Sequence, residues 1–216
     1  MTVVGIVPAA GRGERLGGQV PKALVVCAGK PLLDWSLDVL GAVCDRVVVA
    51  VPPGSEDGPD RVAGGESRSE SVRNALAAAP EATVAVVHDA ARPLVTVELV
   101  RECVAAVEAG WDGAVAAAPV TDTIKEAGEG LRVERTLDRS RLWSIQTPQA
   151  FAADVLRRAL DAPAGVLAAA TDDAMLVEAA GGSVRIVAAP PENLKVTGPL
   201  DLERAEALLN ARRPIA

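Results

Sequence analysis

Residues 8–22, PAAGRGERLGGQVPK, hold four glycines, two arginines and a lysine directly after the apolar run at 3–7. Gly11, Gly13, Gly17 and Gly18 lack a Cβ, so the backbone there can take positive φ and turn its N–H groups onto an anion. Arg15 contributes a planar fork and Lys22 a compact point charge, a pair suited to charge that grows on phosphate oxygens. Pro21 restricts the backbone beside that lysine. The chemistry on offer is the wrapping of a polyanion, with a nucleoside triphosphate as first candidate; the plainer alternative is a solvated basic surface loop. Two standard phosphate motifs do not fit. Leu16 occupies the third glycine position of G-x-G-x-x-G, and Gly18 is followed by Gln19 and Val20 where a P-loop needs Lys and then Ser or Thr.

Four further clusters carry polar chemistry. Gly64-Gly65-Glu66-Ser67 runs into a helix start through to Ser71, where backbone N–H groups can meet a base or phosphate, or where a helix is simply capped. In His88-Asp89-Ala90-Ala91-Arg92-Pro93, Asp89 can hold a sugar hydroxyl and Arg92 can grip a phosphate bidentately. His88, the only histidine, reads equally as a catalytic group or as a strand-end residue held by a backbone hydrogen bond. Thr121-Asp122-Thr123-Ile124-Lys125, with Arg139 and Thr147-Pro148-Gln149, forms the third cluster, which alone would pass for a solvated hairpin. In the fourth, Lys195 stands between apolar neighbours, which implies an anionic partner.

These residues need a scaffold. Valine-rich runs at 3–7, 46–51, 83–87, 113–118 and 184–188 have the character of strands buried on both faces. Helical stretches are expected at 32–43, 69–79, 97–109, 149–160, 172–180 and 199–210, the second preceded by a capping box in Ser67 and Glu70. The alternation predicts an α/β fold: a Rossmann-like, mostly parallel twisted sheet flanked by helices, with ligands at the carboxyl ends of the strands. Residues 121–146 break it with short alternating runs at 122–125, 131–136 and 142–145. They read as a protruding β-arm with little core of its own, which must lean on something, a second subunit being the natural choice.

Composition bounds the answer. The 216 residues are 50% hydrophobic, enough for one domain spanning 1–216. No apolar run reaches the ~18 residues of a membrane span and no basic leader precedes an apolar stretch, so a cytoplasmic protein without a membrane partner is expected. A net charge of −7 argues against nucleic acid and favours small phosphorylated ligands held by local basic groups. Of 22 basic side chains only Lys22, Lys30, Lys125 and Lys195 are lysines. Cys27, Cys44 and Cys103 are odd in number and widely spaced, as buried free thiols and not as a metal site.

Read in order, PAAGRGERLG…PK, GGESRSESV, HDAARP, TDTIK, TLDRSRLW, TPQ, TDDA and NLKVTGPLDL resemble the 2-C-methyl-D-erythritol 4-phosphate cytidylyltransferases nearly end to end. Two departures stand out: Leu16 where methionine is frequent, and an arm tip, Asp138-Arg139-Ser140-Arg141, without the glycine of some relatives. The resemblance implies transfer of CMP from CTP to methylerythritol phosphate with release of pyrophosphate, Mg²⁺ being bound mainly through CTP phosphates. It implies that Arg15 and Lys22 stabilise the transition state, with Arg139 and Lys195 also acting at the reaction centre. Pro8, Ala9, Ala10, Gly11, Gly13, Gly65, Glu66 and Ser71 would bind the nucleotide. Asp89, Arg92, Thr123, Arg139, Thr147 and Lys195 would bind the acceptor, Arg139 reaching in from the partner of a homodimer with exchanged arms. Enzymes acting on ribitol 5-phosphate or other polyol phosphates share these motifs, and a nucleotide-binding regulatory module without turnover is the remote alternative.

Overall fold

The structure, a computed structural model, describes residues 1–11 and 20–212. Its elements in chain order are β1 (Val3–Pro8), β2 (Val26–Cys27), β3 (Lys30–Pro31), α1 (Leu32–Gly41), β4 (Arg46–Val51), β5 (Arg61–Ala63), α2 (Arg68–Ala77), β6 (Val84–Val87), α3 (Val97–Glu108), β7 (Gly113–Pro119), β8 (Lys125–Ala127), β9 (Val133–Thr136), β10 (Trp143–Ala152), α4 (Ala153–Leu160), α5 (Ala164–Ala169), α6 (Asp173–Ala179), β11 (Val184–Ala188) and α7 (Pro199–Arg212). A 3₁₀ turn at Lys22–Leu24 precedes β2.

Seven strands form one sheet in the order β11-β7-β10-β6-β1-β4-β5, in which β10 alone runs antiparallel. The mostly parallel α/β sheet expected from the valine runs is therefore present. Alternate residues of the central strands serve the two faces. Val3, Val7 and Val49 pack with Leu33 and Leu40 of α1 and with Leu99, Val100 and Cys103 of α3. Val4, Ile6 and Val48 pack on the opposite face with Val72 and Leu76 of α2, Leu156 and Leu160 of α4, and Leu176 and Val177 of α6. Burial of these rows removes apolar surface from water on both faces, at about 25 cal/mol per Å². All three cysteines are free and buried, and burial pushes the thiols of Cys44 and Cys103 up to about 12.

Two expectations need correction. The helix expected at 149–160 begins only at Ala153, because Gln149–Ala152 belong to β10 and pair on one side with β6 and on the other with β7. Small residues there permit either state, and two-sided strand pairing decides it. Phe151 fills the space opposite Gly113, where a Cβ would lie 2.6 Å from the ring. The run at 142–145 is likewise the start of β10 in the main sheet, pairing Trp143, Ser144 and Ile145 with Pro119, Ala118 and Ala117. The hairpin β8–β9 forms its own two-stranded sheet, and its tip turns through Gly130 (φ 64°) and Leu131 (φ 60°).

Candidate functional site

The carboxyl ends of β1, β4 and β6 meet along one edge of the sheet. Ala9 N–H donates to the Ala50 carbonyl (2.8 Å) and Gly64 N–H to the Val51 carbonyl (2.8 Å), which draws residues 8–11 against the Gly64-Gly65 turn. The approach is close enough to require glycine. A Cβ on Gly64 would lie 2.4 Å from Ala10 Cβ, and one on Gly65 2.3 Å from Glu70 Cβ. Ser71, buried on α2, accepts from Gly65 N–H (3.1 Å) and donates to the Ser67 carbonyl (3.0 Å), while Ser67 and Glu70 close the expected capping box. Pro8, Ala9, Ala10, Gly11, Gly65 and Ser71 are thus gathered as expected, with Glu66 exposed at the rim. Gly13 and Arg15 lie outside the described residues. Lys22 N–H reaches the Gly11 carbonyl at 3.4 Å, so the two ends of the glycine-rich segment meet. The Lys22 charge also helps hold the Asp201 carboxyl below its usual range, after the larger hydrogen bonds from Thr197 and Gly198.

Beside this edge, Asp89 follows β6 at 8% exposure. Its Oδ1 meets Arg68 Nε (3.1 Å) and its Oδ2 meets Lys195 Nζ (2.7 Å). The anionic partner that Lys195 implied is therefore a residue of its own chain. Arg68 Nη1 reaches on to Asp173 Oδ2 (2.7 Å), whose side chain is wholly buried at the start of α6. Burial alone would push the Asp89 carboxyl up; the charges of Arg68 and Lys195 reverse this and hold it well below the carboxylate range. For Asp173 burial prevails and its carboxyl is raised. Arg92 is buried, with Nη1 donating to the Asn193 carbonyl (2.8 Å), and Asn193 Nδ2 donates to Gln146 Oε1 (2.8 Å) and the Thr147 carbonyl (2.9 Å). Arg68, Asp89, Arg92, Gln146, Thr147 and Lys195 line a cleft of about 580 Å³.

His88 has no exposed surface. Its Nε2 lies 3.2 Å from the Arg92 carbonyl and its Nδ1 3.0 Å from Thr147 Oγ1, and burial lowers its pKa to about 4. This is the strand-end arrangement and not that of a solvent-facing acid or base. Thr123 and Arg139 are not brought to the cleft within one chain. Both are exposed, and Arg139 Nη1 donates to the Thr121 carbonyl at 2.5 Å. Arg68, Asp173, Gln146 and Asn193 were not singled out beforehand. Their signal was present in the arginine after Gly64-Gly65 and in the Asp172-Asp173 doublet, but which charge meets which depends on tertiary packing.

A model of the 2-C-methyl-D-erythritol 4-phosphate cytidylyltransferase family, IspD, matches residues 3–211. The chain belongs to this family. Enzymes of that name from Saccharopolyspora erythraea and Nocardia farcinica are 48% and 45% identical, over 97% and 98% of this chain and 100% and 95% of theirs. The crystal structure of the Thermus thermophilus cytidylyltransferase superposes with a TM-score of 0.83 at 36% identity, covering 97% of this chain and 100% of that one. That structure thus shares the fold of this chain over nearly its whole length.

Proposed function

We propose that the chain transfers CMP from CTP to 2-C-methyl-D-erythritol 4-phosphate, giving 4-diphosphocytidyl-2-C-methyl-D-erythritol and pyrophosphate. A phosphate oxygen of the acceptor attacks the α-phosphorus in line, a new P–O bond forms, and the bond to the β-phosphate oxygen breaks. The observation that carries this reading is the juxtaposition, at one sheet edge, of a glycine-walled turn with a carboxylate held between Arg68 and Lys195.

Ala9, Ala10, Gly11, Gly65, Glu66 and Ser71 line the nucleotide side, where backbone groups can be matched to cytosine. Gly13 offers its backbone N–H to the triphosphate, and Arg15 and Lys22 act on the charge that grows as pyrophosphate leaves. Asp89, Arg92, Thr147 and Lys195 hold the acceptor so that its phosphate is already aligned, which removes much of the entropic barrier. Thr123 and Arg139 serve the site of a neighbouring subunit in a homodimer. Magnesium would enter with CTP, held mainly through the nucleotide's phosphates. The whole chain works as one cytoplasmic nucleotidyltransferase domain with its arm.

Pyrophosphate release by the pure protein with CTP, Mg²⁺ and either methylerythritol phosphate or ribitol 5-phosphate tests this. Turnover with the first and little with the second is expected. Equal or better turnover of ribitol phosphate, or none with either, contradicts it.

A further inference from the structure

The hydrogen bonds around His88 have a fixed direction. Its Nε2 faces the Arg92 carbonyl, which can only accept, so Nε2 carries the ring proton. A wholly buried imidazole is held neutral, with one ring proton and not two. Nδ1 is therefore bare and must accept, and the group facing it at 3.0 Å is the Thr147 hydroxyl. That hydroxyl also receives Asp89 N–H at 3.0 Å. Its single hydrogen is spent on His88, one lone pair is spent on Asp89, and one lone pair remains at the cleft wall that Thr147 lines. Turning the hydroxyl toward a ligand would set its oxygen lone pairs against bare Nδ1 and leave a buried acceptor unpaired.

We propose that His88 is a positioning residue that fixes the direction of the Thr147 hydroxyl, so that Thr147 meets the acceptor substrate as a hydrogen-bond acceptor. Thr147 then takes an O–H of the polyol and does not donate to a phosphate oxygen. Next to it the Asp89 carboxylate adds acceptor oxygens held between Arg68 and Lys195, and Arg92 and Lys195 supply the donors and positive charge. The polyol and phosphate ends of the acceptor are sorted by this polarity. The inference rests on a polyol phosphate as acceptor, as in the function proposed above.

Because the chain has one histidine, a two-bond ¹H–¹⁵N spectrum of the labelled protein near neutral pH reads its tautomer without assignment. A ring protonated on Nε2 alone is expected; a proton on Nδ1, or a charged ring, overturns the proposal. This measurement needs neither a variant nor turnover, so its failure is distinct from failure of the wild-type protein to use methylerythritol phosphate. In kinetics, His88→Asn keeps an amide oxygen able to accept the Thr147 hydroxyl, and His88→Leu does not. His88→Leu is expected to raise KM for methylerythritol phosphate about tenfold with KM for CTP unchanged, and His88→Asn to restore most of the loss, the scale of one hydrogen bond. Equal losses in both variants, or equal effects on both substrates, mark a purely structural histidine and refute the proposal.

Discussion

The cleft around Asp89 and the hairpin β8–β9 are built on opposite terms. In the cleft, segments from β6, α2, α6 and the stretch after β11 converge, and both oxygens of Asp89 are matched with cations of the same chain. In the hairpin every residue of β9 is exposed, Leu131 stands at 87% exposure, and the contacts are internal ones such as Lys125 to Thr136 and Arg135 to Glu126. Exposed pairs of that kind contribute little to stability. The charges of the cleft are paired within one chain, whereas the hairpin leaves Leu131 and Val133 exposed and Arg139 bonded only back to the Thr121 carbonyl among the contacts described.

The sharpest break in that comparison falls at the glycine-rich edge beside the cleft. Lys22→Ala should lower kcat by ~10² to 10³ while CTP affinity changes little, if, as proposed, the lysine acts on charge that develops in the transition state. Steady-state kinetics with both substrates checks it, and near-normal kcat would remove Lys22 from the mechanism. Next in size is Arg68→Ala, which leaves the wholly buried Asp173 carboxyl without its ion-pair and hydrogen-bond partner. A loss of about 3 kcal/mol in urea unfolding is expected, whereas removing Arg135 from the hairpin should leave the urea midpoint nearly unchanged.

Acidification separates the two halves more gently. His88 has its pKa lowered to about 4 in the fold, against ~6.5 when unfolded. Between those values the unfolded chain binds more protons, so stability falls as pH drops through this window, by roughly 3 kcal/mol in all for this one group. Asp89 is held below its own unfolded value, so its contribution is intact throughout that window and is lost only in stronger acid. Urea midpoints from pH 7 to pH 4 should slope less in His88→Asn than in the wild type; parallel curves would show that His88 is not the group responsible. Gly64→Ala gives the smallest test. Its Cβ would press on that of Ala10, and KM for CTP should rise severalfold with KM for the acceptor nearly constant.

The same division explains what could be read before the fold was known. The strand at 46–51 was legible to the residue, because a valine run that is largely buried has little alternative; the strand at 184–188 has the expected bounds but lies at the sheet edge with Arg185, Ile186 and Ala188 exposed, so its expected burial on both faces does not hold. The Gly64-Gly65 turn and the Ser67–Glu70 capping box were legible because their chemistry is local. Gln149–Ala152 were not, since small residues take strand or helix according to what lies beside them, and β6 and β7 lie beside them. Nor was Arg68, whose importance comes from two carboxylates 21 and 105 residues away in sequence. An exposed charge such as that of Arg139 carries no trace in the sequence of what it contacts, here the Thr121 carbonyl of its own chain.

The proposed division of the site between one subunit's cleft and its neighbour's arm is best tested by complementation. Arg139→Ala alone should raise KM for the acceptor and lower kcat, leaving CTP affinity nearly intact, and Lys22→Ala should be nearly inactive. When the two proteins are mixed under conditions where subunits exchange, a hybrid dimer holds one site combining wild-type Lys22 with wild-type Arg139 from its neighbour. Activity is expected to return in the mixture, through that one site of the two in each hybrid. If exchange is demonstrated and the mixture stays no more active than its parents, Arg139 acts within its own chain or not at all, and the shared site is wrong.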